Sequence, residues 1–513
     1  MSLPLPLDAF NQSLLAQVHP PDWVNPTPLK CYDLLVIGGG TAGLVTAIGA
    51  AELRLGLKIA LVEQSLLGGD CLNWGCVPSK TLIAVARKVD QIRNASRFGI
   101  HCPQAPIVEF AKVMERVRQV RADISHHDSV ERCHQAGIDV FFGTAQFRDP
   151  HHLQVQQQLL PFKRVVIATG ARATIPHIPG LEAVPFYTNE TIFNLTELPQ
   201  KLAIIGGGPI GCELGQALQR LGSQVTIFQR PEQILPQEDF ETAQLIALQL
   251  QQDGIEIKTA TQIHQVIATA NQTQIEFQSP KTNPEIQSVT VDEVLIAAGR
   301  TPNLETLNLE AAGIEVQPGR GIVVNDYLQT SQSHIFAVGD VCQAWKFTHA
   351  ADAGARIVIK NALFSPWGLG RSKVSRLLIP RVTYTDPEIA SVGISAAQAK
   401  SQNLKINVLT IPFTDVDRAV TEGDTQGFLE LVLSDNCDRI LGAVIVGHGA
   451  GELISYITQA MGTNQGLTRF SQTIFPYPTQ AEILKKAADR YYQATLLRPG
   501  SQALLKLVRW LAR

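Results

Sequence analysis

Residues 32–64 read YDLLVIGGGTAGLVTAIGAAELRLGLKIALVEQ, and this stretch decides the fold. A short apolar strand runs into Gly38, Gly40 and Gly43, an alanine-rich helix follows, and a second strand ends in Glu63. In such a unit the first glycine permits a tight turn, the second admits a pyrophosphate, and the third lets helix and strand pack closely. Free N–H groups at the helix N-terminus favour the anion, and Glu63 can bind an adenosine ribose. The stretch therefore predicts a dinucleotide-binding domain.

A second unit of the same kind follows in residues 201–230, KLAIIGGGPIGCELGQALQRLGSQVTIFQR. Its glycine fingerprint consists of Gly206, Gly208 and Gly211. The unit differs from the first at the end of its second strand, where Gln229 is followed by Arg230. A carboxylate at this place suits a ribose 2′-hydroxyl, whereas an arginine suits a 2′-phosphate. The second site is therefore predicted to prefer NADPH over NADH, the alternative being that Arg230 is a solvated surface charge.

Between the two fingerprints, residues 68–80 read GGDCLNWGCVPSK and bring Cys71 close to Cys76. Two nucleotide sites beside one cysteine pair suggest a relay, in which a nicotinamide reduces a flavin and the flavin reduces a disulfide. A thiolate formed by reduction needs a cation or a helix N-terminus, and a helix starting near residues 77–78 would supply the latter. Lys80 could pair with a buried acid. The alternative is two structural thiols.

The composition of the chain argues against several other classes of function. The 513 residues are enough for roughly three or four domains, and 45% hydrophobic with 17% charged residues suits a large folded core. The formal charge of −3 gives no basic field for nucleic acid. No apolar run reaches the ~18–20 residues of a transmembrane helix, and the N-terminus does not read as a signal peptide. These features predict a cytoplasmic protein in a reducing compartment.

The remaining cysteines are too few and too scattered for a disulfide scaffold, and none shows zinc-site spacing. Each is predicted to be a buried apolar side chain: Cys31, Cys102, Cys133, Cys212, Cys342 and Cys437. Residues 1–30 are predicted to be a proline-rich extension on the surface, and residues 81–135 to be mainly helical. From about residue 378 the pattern predicts an α+β domain without a nucleotide fingerprint.

Several motifs together resemble the flavin-dependent pyridine nucleotide–disulfide oxidoreductases, a family that includes lipoamide dehydrogenase, glutathione reductase and mercuric reductase. They are GGDCLNWGCVPSK, both fingerprints, ATG at 168–170, AAGRTPN, the AVGD turn and FPYPTQAE near the C-terminus. The resemblance covers about residues 31–495. It implies an α/β fold with two Rossmann-like domains, one for FAD and one for NAD(P), and a C-terminal α+β dimerisation domain.

The same resemblance divides the chain and implies a homodimer whose active sites are each completed by the partner subunit's C-terminal segment. The predicted parts are an N-terminal extension (1–30), a first FAD-binding part (31–180), an NAD(P)-binding domain (181–300), a second FAD-binding part (301–377), a dimerisation domain (378–495) and a basic amphipathic tail (496–513). The tail is predicted to dock on its own dimer or fray, or to bind a membrane surface or a protein.

The resemblance also implies roles for individual residues. Cys71 is the interchange thiol that meets substrate, Cys76 is the charge-transfer thiol beside the flavin, and Lys80 forms an ion pair with Glu213 near the flavin's reactive edge. Gly299 lines the nicotinamide site. The cofactor-binding residues predicted in all are Gly38, Gly40, Gly43, Glu63, Gly69, Ala145, Thr169, Gly170, Gly206, Gly208, Gly211, Arg230, Gly299 and Asp340.

One departure bears on the substrate. Disulfide-reducing members carry a catalytic histidine five residues before a glutamate, but here Tyr477 precedes Glu482. Tyrosine, with a pKa near 10, is a poor base at neutral pH. Tyrosine at this place resembles mercuric reductase, whose substrate is a soft metal ion held by thiolates. That enzyme also carries a C-terminal cysteine pair, whereas the last cysteine here is Cys437.

Three functions are therefore open. The first is an FAD enzyme that uses NADPH and the cysteine pair to reduce a metal ion or another small-molecule acceptor such as a quinone, with Cys71 and Cys76 as transient metal ligands and no structural metal. The second is a dithiol–disulfide oxidoreductase of the lipoamide dehydrogenase or glutathione reductase type. The third is a flavoprotein redox sensor or interaction protein.

Overall fold

The computed structural model describes residues 3–279 and 283–512, which form two compact units. The first unit takes the described residues up to Ile234 together with Asp253–Leu377. The second takes Leu235–Gln252 together with the residues from Leu378 onward. The segment 235–252, which the sequence analysis placed in the NAD(P)-binding domain, thus groups with the C-terminal unit.

Helices are named here in chain order. They are α1 (Ala9–Val18), α2 (Thr41–Ala51), α3 (Gly69–Asn73), α4 (Cys76–Arg93), α5 (Phe110–Ile124), α6 (Val130–Gln135), α7 (Pro209–Leu221), α8 (Phe240–Gln252), α9 (Thr348–Leu363), α10 (Ala396–Ser401), α11 (Asp417–Glu422), α12 (Ala450–Gly462), α13 (Glu482–Leu496) and α14 (Pro499–Leu511). Within the described residues, none is both long and apolar enough to cross a bilayer.

The first fingerprint lies in a five-stranded parallel sheet of the first unit. The strands, in spatial order, are Ile335–Ala337, Val165–Ile167, Leu34–Ile37, Ile59–Glu63 and Ile138–Phe142. The predicted strand Leu34–Ile37 is buried along its whole length, as expected for a parallel strand covered on both faces. It sits at the centre, so the glycine turn that follows opens at the carboxyl edge of the sheet.

The second fingerprint lies in a four-stranded parallel sheet of the same unit, in the order Glu256–Lys258, Gln224–Phe228, Lys201–Ile205 and Glu293–Ile296. Two three-stranded antiparallel sheets accompany the parallel ones: Ala145–Asp149 with His152–Val155 and Gln158–Pro161, and Gln262–Ala268 with Thr273–Ser279 and Asn283–Val291. Two strand pairs complete the unit: Ala171–Ala173 with Arg300–Pro302, and Val316–Gln317 with Gly321–Ile322.

The second unit is built on a five-stranded antiparallel sheet. Its strands, in spatial order, are Arg381–Thr383, Glu388–Gly393, Ile440–Gly447, Phe428–Ser434 and Ile406–Pro412. Buried side chains of α12 and α13 belong to the same apolar cluster as the inward-facing residues of these strands. The α+β character predicted from residue 378 onward is confirmed, and so is the overall α/β class.

Residues 1–30 were predicted to be an extension on the surface, but they contain the helix α1, part of which is buried. Leu14 and Val18 are fully buried and belong to the same core cluster as α2. The Asp8 carboxylate accepts from Arg118 Nε on α5 at 2.5 Å, and its side chain also caps α1 by accepting from the Asn11 amide. Proline runs at either end of the helix masked its short apolar pattern.

The prediction for the isolated cysteines was right for some and wrong for others. Cys133 and Cys212 are buried, but Cys102 and Cys437 are exposed. The exposed pair lie in the segments that join α4 to α5 and strand Phe428–Ser434 to the next strand, where the chain runs over the surface.

A fully buried arginine joins α1 to the cysteine-bearing segment. Arg121 on α5 donates to Asn11 Oδ1 at 2.6 Å and to the Asn73 carbonyl at 2.9 Å. Burial lowers the pKa of this guanidinium only to about 10, so it stays charged at neutral pH. The end of α3 is thus fixed to the N-terminal helix through one side chain.

We expect Arg121→Met to lower the free energy of unfolding by about 3 kcal/mol, because it leaves buried acceptors unpaired. Thermal unfolding of the purified protein measures this. Arg116→Met, on the exposed side of the same helix, is the matched control and should change the midpoint little. Equal effects from the two variants would show that the buried contacts contribute no stability.

Candidate functional site

The first glycine loop is shaped by close backbone contacts. A Cβ on Gly38, whose φ is +104°, would lie 2.4 Å from the Ala168 carbonyl oxygen. A Cβ on Gly43 would lie 1.7 Å from the Gly38 carbonyl oxygen, so α2 could not pack against its strand. Gly40 caps α2 without any side-chain hydrogen bond, which leaves the first amides of the helix for an anion.

Glu63 supports this loop from the end of the neighbouring strand. Its carboxylate accepts from the Gly39 amide at 2.5 Å and from the Ser65 amide at 2.7 Å. Burial raises the pKa of the carboxyl above its ordinary value. The predicted FAD residues Gly38, Glu63, Ala145 and Thr169 all line one cavity at this edge of the sheet. The open helix terminus, and the cavity that the buried acid helps to line, fit a dinucleotide.

The first glycine loop also touches the start of the cysteine motif. Gly69, at φ +54°, comes so close to Gly40 that a Cβ on it would lie 2.6 Å from the Gly40 Cα. Two further predicted glycines stand at turns that are held together. Gly170 and Gly299 precede strands that pair with each other, and Thr169 Oγ1 donates to the Asn303 carbonyl at 2.8 Å. Because these strands run antiparallel, the ATG and AAG turns, which look alike in sequence, lie at opposite ends of the strand pair.

The second glycine loop repeats the geometry of the first with one change. A Cβ on Gly211 would lie 2.0 Å from the Gly206 carbonyl oxygen, whereas a Cβ on Gly208 would meet nothing within 4 Å. The space before α7 is therefore open, and this helix also has no side-chain cap. Gln229 Oε1 accepts from the Gly207 amide at 2.9 Å, in the place that the first loop gives to a carboxylate.

Sequence reasoning treated Gln229 only as a missing acid, but its amide holds the loop as a carboxylate would and adds no negative charge. Arg230, the next residue, is exposed. A neutral loop with an exposed guanidinium beside it suits a ligand that carries an additional phosphate at the ribose.

Cys71 and Cys76 are brought together by two helices with a break between them. Cys71 lies within the short helix α3, and α4 begins at Cys76 itself, slightly earlier than predicted. Gly75 makes the break, since a Cβ there would lie 2.9 Å from the Asp70 carbonyl oxygen. Cys76 thus stands at the N-terminus of an 18-residue helix, where partial positive charge stabilises a thiolate.

The two sulfurs have opposite proton affinities. A hydrogen bond from the Cys71 thiol, with smaller contributions from Thr348 and Lys80, lowers the pKa of Cys76 to about 6 in spite of burial. The same hydrogen bond, together with burial, raises the pKa of Cys71. At neutral pH the reduced pair is therefore one thiolate, at Cys76, and one thiol, at Cys71. The roles that the resemblance implied, interchange thiol for Cys71 and charge-transfer thiol for Cys76, stay predictions.

Thr348 is a site residue that the sequence analysis missed. It begins α9, and its Oγ1 lies 3.2 Å from Cys76 Sγ, although 272 residues separate the two. No local pattern marks this threonine, because only the packing of α9 brings it to the cysteines.

We expect Thr348→Val to raise the pKa of the Cys76 thiol by about one unit, since the variant removes a hydrogen bond to the charged form. The ultraviolet absorbance of the thiolate, followed during acid titration of the reduced protein, measures the midpoint. Wild-type protein should lose the thiolate as the pH falls through about 6. Thr348→Ser keeps the hydroxyl and should keep the wild-type midpoint; a raised midpoint in both variants would contradict a role for the hydroxyl.

The predicted ion pair between Lys80 and Glu213 is present. Lys80 Nζ on α4 lies 2.8 Å from Glu213 Oε2 on α7, and the carboxylate is almost fully buried. The pair connects the helix that starts at Cys76 to the helix that starts the second nucleotide site. A cation one turn from the sulfur is also one reason for the lowered pKa of Cys76.

Asp340 lies in a charged cluster that sequence reasoning did not foresee. Arg300 Nε approaches Asp340 Oδ2 at 3.5 Å, and Arg300 Nη2 reaches Asp70 Oδ2 at 2.8 Å. Burial raises the pKa of the Asp340 carboxyl. Asp70 also accepts from Asn189 Nδ2 at 2.9 Å, so the residue before Cys71 is held from two sides.

Tyr477 and Glu482 belong to the second unit, and they are not joined to each other by a hydrogen bond. The exposed Tyr477 hydroxyl donates to Asp417 Oδ2 at 3.1 Å. That hydrogen bond raises the pKa of the tyrosine further above its ordinary value. Glu482 begins α13 and has Lys486 Nζ at 3.6 Å, while its other carboxylate oxygen is buried without a hydrogen bond.

Comparison with known proteins places this geometry in a family. The protein-family model described as "Pyridine nucleotide-disulphide oxidoreductase" matches residues 32–355, and the family model for its dimerisation domain matches residues 379–488. A mercuric reductase of Staphylococcus aureus is 35% identical over 89% of this chain and 82% of its own length. A dihydrolipoyl dehydrogenase of Thermus scotoductus is 31% identical over 91% of this chain and 99% of its own.

Solved structures of a flavoprotein disulfide reductase are also similar to this chain. The HOCl-induced flavoprotein disulfide reductase RclA from Escherichia coli has a TM-score of 0.79 and 30% identity, covering 89% of this chain and 99% of that one. A Cu(II) complex of the same protein has a TM-score of 0.78 and 29% identity, covering 88% and 99%. The dimerisation domain supports a homodimer. The chain belongs to the pyridine nucleotide–disulphide oxidoreductase family, whose members bind FAD and use NAD(P)H.

Proposed function

We propose that this oxidoreductase passes electrons from NADPH through FAD and the Cys71–Cys76 pair to a metal ion or another non-thiol acceptor. The observation that carries the proposal is the state of Tyr477, whose hydroxyl is bonded to Asp417 and whose pKa is raised. Reduction of an organic disulfide requires a group that protonates the leaving thiol and deprotonates the attacking one. A tyrosine in this state supplies neither proton transfer efficiently at neutral pH.

When bound, FAD reduced by NADPH would supply the electron pair that opens a disulfide between Cys71 and Cys76. The chain's own residues then decide which sulfur is charged. The helix N-terminus, Thr348 and Lys80 stabilise the thiolate of Cys76, while Cys71 keeps its proton. A soft cation binds both sulfurs by displacing that proton, and this step needs no separate base.

Relatives support a metal as acceptor. Several similar proteins are mercuric reductases, and RclA has been solved as a Cu(II) complex. In the part of the chain that the structure describes, no cluster of three or more His, Cys, Asp or Glu side chains forms a further metal site. We infer that a cation acceptor would be held by Cys71 and Cys76.

A second function is favoured by one specific observation, the identity to dihydrolipoyl dehydrogenases over nearly the whole chain. On this hypothesis the chain acts on lipoyl groups or a small disulfide with an unusual proton donor. The third hypothesis, a redox sensor or interaction protein, would show flavin reduction by NADPH with negligible turnover of any acceptor.

Two features of the proposed enzyme concern its assembly and location. We infer that each active site of the homodimer is completed by Tyr477 and Glu482 of the other copy, as the family resemblance implies. A cytoplasmic location suits an enzyme that draws on NADPH and keeps a reactive dithiol. Size-exclusion chromatography and mixing of inactive Cys71→Ser with inactive C-terminal variants would test shared sites, since regained activity in the mixture requires complementation.

We expect Arg230→Ala to raise KM for NADPH about tenfold and to leave KM for NADH unchanged, because the guanidinium would meet only the 2′-phosphate. Steady-state kinetics with both nucleotides measure the split. Arg148→Ala, at an exposed arginine of the first unit outside the predicted nucleotide-binding residues, is the control. A parallel change in both KM values would contradict a role in recognising the phosphate.

The acceptor itself is tested by a screen with purified enzyme and NADPH. Hg²⁺, Cu²⁺, a quinone, lipoamide and glutathione disulfide should be compared by kcat/KM. We expect the metal ions or the quinone to exceed both disulfides by about 10²-fold, the range over which a missing acid–base group acts. Lipoamide or glutathione disulfide as the best substrate would establish the second hypothesis instead.

A further inference from the structure

The C-terminal helix α14, Pro499–Leu511, has no buried residue along its 13 positions. The α13 helix before it contributes five buried residues to the core of the second unit, so α14 begins where packing ends. Its large apolar side chains are between 45% and 70% exposed: Leu504, Leu505, Leu507, Val508, Trp510 and Leu511. So much exposed apolar surface on one short helix indicates an interaction site.

The side chains of α14 divide into two faces. At 100° per residue, Leu504, Leu507, Val508 and Leu511 fall on one side of the helix, flanked by Leu505 and Trp510. Lys506 and Arg509 fall on the opposite side, and both are exposed. A tryptophan at the border between an apolar and a basic face is typical of helices that lie in a bilayer interface.

The charge of the C-terminal segment indicates which kind of partner would cover the apolar face of α14. No acidic residue follows Asp489, so residues 490–513 carry only positive side chains: Arg490, Arg498, Lys506, Arg509 and Arg513. A second copy of the helix would bring the same positive charges together, because a twofold interface pairs like with like. An anionic surface complements both faces at once. With a length of about 20 Å, the helix is too short to cross the ~30 Å hydrocarbon core.

We propose that α14 is a membrane-docking helix that lies flat on an anionic lipid surface, with its leucines in the acyl region and Lys506 and Arg509 at the headgroups. Burial of the apolar side chains and attraction of the basic ones act together, so removal of either weakens binding. The proposal holds whichever acceptor the cysteine pair reduces, and it does not rest on the proposed function.

Co-sedimentation of the full-length holoenzyme with vesicles tests this. Vesicles of phosphatidylglycerol mixed with phosphatidylcholine should bind the enzyme, whereas pure phosphatidylcholine vesicles should bind it at least tenfold less. Lys506→Glu with Arg509→Glu should lower binding to the anionic vesicles at least tenfold, because each reversal replaces attraction to the anionic headgroups by repulsion. Lys400→Glu with Lys405→Glu is the matched control, with the same change in charge at exposed sites of the same unit.

A second readout reports on the apolar face. Trp510 fluorescence should shift to the blue on binding, and the shift should be absent from a Trp510→Phe variant that keeps the other tryptophans. Equal losses from the two charge-reversed pairs, or equal binding to both vesicle types, would overturn the proposal. So would deletion of residues 501–513 that turns a dimer into a monomer without changing vesicle binding, because the face would then belong to a second copy.

Discussion

Replacing Cys71 by serine should lower kcat/KM for every acceptor by about 10⁴-fold while the flavin is still reduced by NADPH. The physical reason is that Cys71 is the sulfur of the pair that keeps its proton and, on the proposed function, meets the acceptor, and serine cannot form a disulfide with Cys76. Stopped-flow absorbance of the flavin and steady-state acceptor turnover, measured on the same preparation, separate the two half-reactions.

Cys71→Ala should also change the spectrum of the reduced enzyme, because alanine, unlike serine, has no hydroxyl that can donate to Cys76. Without the hydrogen bond from residue 71, which is the main reason for the lowered pKa of Cys76, the remaining thiolate should gain its proton at a higher pH. Cys437→Ser, at an exposed cysteine of the second unit, is the control and should leave both half-reactions unchanged. Acceptor turnover that survives in Cys71→Ser would mean that electrons leave from the flavin without passing the cysteine pair.

Tyr477→His should raise turnover of lipoamide and glutathione disulfide by about 10²-fold, because it introduces a base whose pKa lies near neutrality. The gain should follow the deprotonation of an imidazole, so it should increase as the pH rises through about 6.5. Turnover of metal ions should change little, since thiolate coordination needs no such base.

Tyr477→Phe is the matched control for the histidine variant. It removes the hydroxyl that donates to Asp417 but adds no base, so disulfide turnover should stay at the wild-type level or below. An equal gain in both variants would show that the tyrosine hinders access and that proton transfer is not the limiting factor. No gain in the histidine variant would contradict our interpretation of this position.

The features that could be predicted from the sequence are those written into short stretches of chain. The glycines of each fingerprint are needed because backbone approaches backbone within a few residues, as between Gly38 and Gly43. The strands are buried apolar runs, and the cysteine pair precedes a long helix. For these features local geometry and composition are sufficient, so a pattern of about ten residues carries the information.

The features that escaped prediction depend on distant contacts. Thr348 reaches Cys76 across 272 residues, and Arg300 in a short strand reaches Asp70 in α3 through tertiary packing. The helix α1 was missed because prolines stand on both sides of its ten residues, whereas the burial of Leu14 and Val18 and the ion pair of Asp8 with Arg118 depend on distant segments. Sequence patterns describe what a segment can form, but they do not state which segments will meet.

In each glycine loop a backbone amide donates a hydrogen bond to a side-chain oxygen, which belongs to Glu63 in the first loop and to Gln229 in the second. A carboxyl gains a proton in acid, and burial makes Glu63 do so at a higher pH than an ordinary glutamate; an amide does not titrate. Acidification should therefore weaken the loop at Glu63 and leave the loop at Gln229 unchanged. If these loops hold FAD and the pyridine nucleotide as proposed, acid should release FAD while binding of the pyridine nucleotide persists.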